Sequence, residues 1–187
     1  KHVFREIIPD YDEKIEILLA LKKYGHLSQK HEEIKILDPV WSLDQQVNFI
    51  LDIIKDNPRG IIDVPGLFLS YPNSKIAEML QQKIQDMNII FLGDDHIPYK
   101  YHTDQHKKYK DATIKNFYYY DQCHIVGTDI SQPQTGHVAM IISETTKMTD
   151  FAQAMFRFRK VNRGTYVSVI MIKTDKTLPI YTVDDIY

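Results

Sequence analysis

Apolar positions along the chain fall into two regimes. Over the first 57 residues they recur at helical spacing. Asp10 to Tyr24 carries Ile15, Leu18, Leu19 and Leu21 on one side, with Gly25 as a stop. Residues 42 to 57 repeat the pattern through Val47, Ile50, Leu51 and Ile54. Ser42 followed by Gln45 reads as a capping box there, and Asn57-Pro58 ends the segment. Between the two, His31 to Pro39 reads as a loop with room for one short strand.

From residue 58 onward the apolar positions come instead as short continuous runs separated by helical stretches, as expected of parallel strands joined by crossovers and covered on both faces. Residues 60–64, 88–92, 117–121, 137–143 and 166–172 read as strands. Residues 73–87, capped by Asn73 or Ser74, and 147–161 read as helices. Residues 94–113 are polar, rich in His, Lys and Tyr, and without period. The expected fold is α/β: an open, mostly parallel sheet of four or five strands with helices on both faces. Residues 1–57 form a helical lead-in and residues 58–187 the main domain. Tyr118, Tyr119 and Tyr120 should alternate between the two covered faces as core.

Composition narrows the function classes. The 187 residues are 43% hydrophobic, enough for a substantial core. Twenty-five acidic against 23 basic residues give a net charge of -2, so no global field draws the chain to nucleic acid or anionic lipid. No apolar run reaches the roughly 18 residues of a membrane span, and no signal-peptide pattern occurs. The single cysteine rules out an internal disulfide. A reducing, intracellular setting in cytoplasm or nucleus suits it. The first residue is Lys1, which fits a piece of a longer protein.

Ligands of open α/β sheets bind outside the carboxyl ends of the strands. That rule points to Asp121–Asp129, with Asp63 and Gly93 on the same edge. The helix at 147–161 places Phe151, Ala154, Met155, Phe158 and Val161 on one side and Asp150, Gln153, Arg157 and Lys160 on the other, with Arg159 at the border. An amide and two cations on a narrow face suit a phosphate or carboxylate approached from one direction.

Other chemistry-bearing residues carry less. No Gly-x-x-x-x-Gly-Lys-Ser/Thr loop occurs, which argues against a GTPase despite IIDVPGL and TTKMTD, and no Gly-x-Gly-x-x-Gly element supports a dinucleotide cofactor. Cys123 and His124, adjacent on an extended chain, would point to opposite faces, so Cys123 is expected to be a buried structural thiol. His96, His102 and His106 with Asp94, Asp95 and Asp104 read as a solvated loop, and no metal is assigned. Lys107-Lys108-Tyr109-Lys110, with Tyr99 and Tyr101 nearby, has the composition of a single-strand contact but reads first as an exposed lysine patch.

Gly127-Thr128-Asp129, then a strand, then a helix reading Gln153-x-x-x-Arg157-x-Arg159-Lys160, resembles the fifth and sixth conserved motifs in the second RecA-like lobe of superfamily 2 helicases. More specifically, DQCHIVGTD and TKMTDFAQAMFRFRK are similar to the DEAH-x-RGTD and TKD...Q-x-x-MR-x-R-K elements of the helicase-like segment in a family of very large, mostly eukaryotic proteins. IIDVPGLFLSYPNSKIAEML resembles that family's earlier strand, loop and helix. The likeness covers roughly residues 58 to 173.

What the resemblance implies is a RecA-like lobe without its own P-loop, completing an ATP site formed with an upstream lobe of the same protein and coupling ATP to remodelling of nucleic acid or protein. ATP would be shared with that lobe and Mg²⁺ held through it, so the fragment alone is not expected to be active. Carried over, Arg157 and Arg159 would face the γ-phosphate. Gln153 would orient the helix or the nucleotide, Gly127, Thr128 and Asp129 would couple the phosphates to the other lobe, and Lys160 stands where helicases place a second arginine. Departures qualify this. Gln122 replaces the tetrad's glutamate and cannot act as a general base. Val126 replaces an arginine, and Lys160 offers a point charge rather than a planar fork. A degenerate, non-catalytic interaction domain is therefore the alternative.

Overall fold

The computed structural model describes residues 35–103, 105–109, 113, 115–125, 130, 135–157 and 165–172. The helix expected at 10–24 lies outside them.

Among the described residues, eight strands form one sheet. In chain order they are β1 (Lys35–Leu37), β2 (Pro58–Asp63), β3 (Asn88–Leu92), β4 (Pro98–Lys100), β5 (Lys107–Lys108), β6 (Asn116–Tyr120), β7 (Gly136–Ser143) and β8 (Thr165–Ile172). Their spatial order is β1-β8-β7-β2-β6-β3-β4-β5. The six strands from β1 to β3 in that row are parallel, and β4 and β5 add an antiparallel meander at one edge. This is the open, mostly parallel α/β sheet expected from the apolar runs.

Alternation along the strands divides the core in two. Ile62, Ile90, Tyr118, Tyr120, Val138, Met140, Val167 and Val169 form one face, closed by Phe151 and Ala154 of helix α3 (Met148–Arg157) and by Ile125 and Ile130 of the β6–β7 connection. Ile61, Ile89, Phe91, Phe117, Tyr119, Ala139, Ile141 and Ile170 form the other. Helix α1 (Leu43–Ile53) covers it through Val47 and Ile50, and helix α2 (Asn73–Lys83) through Ile76, Ala77 and Leu80. The three tyrosines of β6 therefore split between faces as their period of two requires. Among the described residues, no helix is long and apolar enough to cross a membrane.

Helix α1 starts as its sequence dictates. Ser42 Oγ accepts from the Gln45 N–H at 3.3 Å while Gln45 Oε1 accepts from the Ser42 N–H at 2.9 Å, a reciprocal capping box. Helix α2 does not. Its N-cap is Pro72, and Asn73, expected as a cap, instead donates its amide to the Leu92 carbonyl at 2.9 Å, pinning the helix start to the end of β3. The polar 94–113 stretch holds the antiparallel hairpin that raises the strand count above the expected four or five.

At the amino ends of the central strands, buried Arg59 of β2 ties three segments together. Its guanidinium donates to the carbonyls of Thr135 and Asn116, at 3.0 and 3.2 Å. Gly136, at φ +147°, leaves room for it: a Cβ there would sit 2.7 Å from Arg59.

Candidate functional site

The chain leaving β2 turns to α2 on one face, and the chain leaving β6 turns toward Ile125 and Ile130 on the other. Strands β2 and β6 are neighbours, so their carboxyl ends form a topological switch point, where open α/β sheets hold ligands. A cavity of about 390 Å³ opens there. Three strand ends contribute to its lining: Asp63 at the end of β2, Asp94 and His96 after β3, and Asp121, Cys123 and His124 after β6, with Ser70, Asn73 and Gln122 adding polar groups.

Asp63 builds one wall. It is buried, and its Oδ1 accepts the N–H groups of Gly66 and Leu67 at 3.0 and 2.8 Å while Oδ2 accepts that of Phe68 at 2.9 Å. One carboxylate thus folds the whole 64–68 turn. Gly66 takes φ +80° in it, and a Cβ there would lie 2.8 Å from Gln122 Oε1, so the turn packs closely on the segment after β6. Burial pushes the Asp63 carboxyl up to about 6 despite these three donors, and the nearby Asp121 charge adds to the rise.

This shift has a direction that can be checked. The folded protein holds the Asp63 proton to about pH 6, whereas the unfolded chain releases it near the ordinary 3.8. Asp63 therefore stabilises most below pH ~4, and its contribution declines as pH rises to about 6. Relative to Asp63→Asn, the wild type should lose roughly 3 kcal/mol over that window. Urea midpoints of both proteins from pH 4 to 7 measure it; parallel profiles would contradict the assignment. The amide offers a single acceptor oxygen for three N–H groups, so the variant starts from a lower baseline and only the slopes are compared.

The second wall is a 3₁₀ turn, Gln122–His124, beginning directly after Asp121. Its three-residue period sets Asp121 and His124 on the same side, and His124 Nδ1 meets the Asp121 carboxylate in a short hydrogen bond. Both are buried, His124 to 4% exposure. Its Nε2 is buried with no hydrogen-bond partner. The His96 ring lies against that of His124, centroids 4.9 Å apart at 65°. His96 itself is exposed, at φ 60°. Because this segment is a turn rather than extended strand, Cys123 is not the buried thiol expected of it: it is exposed at the cavity.

Helix α3 meets the same connection from the side. Gln153 and Asp150 are exposed and Phe151 and Ala154 buried, matching the expected faces. Arg157, at the end of the helix, donates its Nε–H to the Ile125 carbonyl in a short hydrogen bond. No family model, curated protein or solved structure matches the chain significantly. The sequence-derived site residues must therefore be weighed on geometry alone. Of these, Arg157 and Gln153 lie on α3 as expected, and Gly127, Thr128, Asp129, Arg159 and Lys160 lie outside the described residues.

The histidine-rich stretch resolves into local contacts. His106 packs against Phe91 and Tyr101, its Nδ1 accepts the His102 N–H at 3.3 Å, and Tyr99 donates its hydroxyl to Asp95 at 2.8 Å. Among the described residues, no three His, Cys, Asp or Glu side chains gather in a way that could hold a metal ion. The expectations missed the Asp121–His124 pair. The Asp-x-x-His spacing was the signal, legible only once the segment is taken as a turn.

Proposed function

We propose that the chain is a helicase-like second lobe, which completes an ATP site with an upstream P-loop lobe and couples nucleotide turnover to remodelling of nucleic acid or protein. It would work inside the cell, in cytoplasm or nucleus, and would draw Mg²⁺ coordination from the other lobe. The observation that carries the reading is the hydrogen bond from Arg157 to the Ile125 carbonyl. It ties the end of α3, which carries Gln153 and Arg157 and leads in sequence to Arg159 and Lys160, to the connection in whose sequence Gly127-Thr128-Asp129 begins two residues past Ile125. A phosphate group needs this kind of convergence of guanidinium and loop. The mostly parallel sheet with helices on both faces is the scaffold such a lobe requires.

The second reading, an interaction domain that has lost the motor chemistry, is favoured by Gln122 in place of a carboxylate and by exposed Leu69 and Tyr71 at the cavity rim, 62% and 42% accessible. The two readings separate in the parent protein carrying both lobes. With a non-hydrolysable ATP analogue at ~100 times its dissociation constant, the helicase-like reading expects about 2.7 kcal/mol of added stability, read as a rise in melting temperature. Arg159→Ala should diminish that rise. No rise at saturating analogue would leave the interaction domain.

A further inference from the structure

The switch-point cavity has a chemistry that a nucleotide phosphate does not fit. Its described lining contains Asp63, Asp94 and Asp121 and not one lysine or arginine. A polyanion entering it would meet carboxylates with no compensating cation. Arg157 is not part of that lining; its guanidinium holds the Ile125 carbonyl, one residue past His124.

An acidic lining is common and by itself says little; His124 makes this one specific. In the neutral ring, Nδ1 donates to the Asp121 carboxylate and Nε2 is left as a lone-pair acceptor. That acceptor is buried without a partner, an arrangement that costs free energy unless something comes to donate to it. The exposed His96 ring lies over His124, on a residue in the left-handed region that only the loop conformation maintains. Phe68, Leu69, Tyr71 and Tyr119 line the remainder with apolar and aromatic surface.

We propose that this cavity binds an alkylammonium group: a protonated primary amine donates to His124 Nε2, its charge is balanced by Asp94 and Asp121, and its methylene stem lies along Phe68 and Tyr71. The charge, the waiting acceptor and the apolar walls each select one part of such a ligand. Asp63 contributes charge rather than a hydrogen bond, since three backbone N–H groups already take both its oxygens. The same chemistry is presented by a small diamine and by a lysine side chain of a protein partner.

The test uses the chain itself and no nucleotide, so its outcome is independent of the two-lobe reading. 1,5-Diaminopentane and a terminally blocked lysine-containing peptide are titrated at pH 7.5 while amide and imidazole nitrogen resonances are followed. The expected result is saturable shifts at Gly66–Tyr71 and Asp121–Ile125, with the His124 Nε2 resonance moving as its lone pair accepts a hydrogen bond. Asp94→Asn, an exposed position that leaves the fold in place, should weaken binding at least tenfold. His96→Gly, which removes the covering ring, should bind at least as tightly as wild type. Pentan-1-ol and glutarate should not compete. Response to the peptide alone assigns the source as a protein lysine, and response to the diamine as a small amine. No saturable shift with either probe, equal affinity in Asp94→Asn, or competition by glutarate would overturn the proposal.

Discussion

Replacing Arg157 by alanine in the protein that carries both lobes should cut ATP turnover by ~10³-fold, the lower end of what a phosphate-facing arginine supplies in phosphoryl transfer. The same change should lower stability by about 1 to 2 kcal/mol, the scale of a charge-assisted hydrogen bond such as that from this partly buried side chain to the Ile125 carbonyl. The disparity is what makes the experiment decisive. An arginine that merely fastened α3 to the connection would lose stability and activity in step, and Arg157→Lys would recover part of both. One that organises the phosphate site needs the planar fork, so Arg157→Lys should remain nearly as slow as alanine. Steady-state turnover and urea unfolding on the same three proteins give both numbers; turnover within threefold of wild type in Arg157→Ala would end the assignment.

The other large effect is expected in the core. Tyr119→Ala should destabilise the fold by ~3 to 5 kcal/mol, the range for emptying a buried aromatic site. Tyr119 is 1% exposed on the central strand β6, and its ring packs against that of Phe68, centroids 6.3 Å apart. Phe68 is the last residue held by the Asp63 carboxylate. The cavity wall and the core therefore share this contact, and the variant should broaden the amide resonances of Gly66–Tyr71 as well as shift the denaturation midpoint. Tyr166→Ala is the control: at 58% exposure it should change stability by less than about 1 kcal/mol. A loss that small at Tyr119 would contradict its place in the packing.

Much of this architecture was legible from the chain because parallel strands covered on both faces cannot hide. Ile61-Ile62, Ile89–Leu92, Val138–Ile142 and Val169–Ile172 are apolar on successive residues, and the sheet puts those residues alternately into the two clusters. The capping box at Ser42 and Gln45 was equally readable, since both partners lie within four residues. What escaped were features decided by distant partners. Strands β4 and β5 have three and two residues, with lysines among them, and are defined by pairing, β4 to β3 and β5 to β4, rather than by any period of their own. Asn73 has the right side chain for a cap, but the Leu92 carbonyl nineteen residues away takes its amide. The candidate site was legible in position, as the carboxyl edge holding Asp63 and Asp121. Its chemistry was not, because extending β6 by one residue, to Asp121, turned the following segment into strand. That error buried Cys123 and hid the pairing of Asp121 with His124.

The two-lysine strand β5 has a further consequence. Among the described residues it forms the outer rung of the meander, with Lys107 opposite Lys100 and both of its own side chains exposed. A second molecule seeking to extend the ladder there would find only two residues of backbone to grip and would bring its own ammonium groups against these. Fibre-like growth through this rim is thereby discouraged by repulsion and by brevity together.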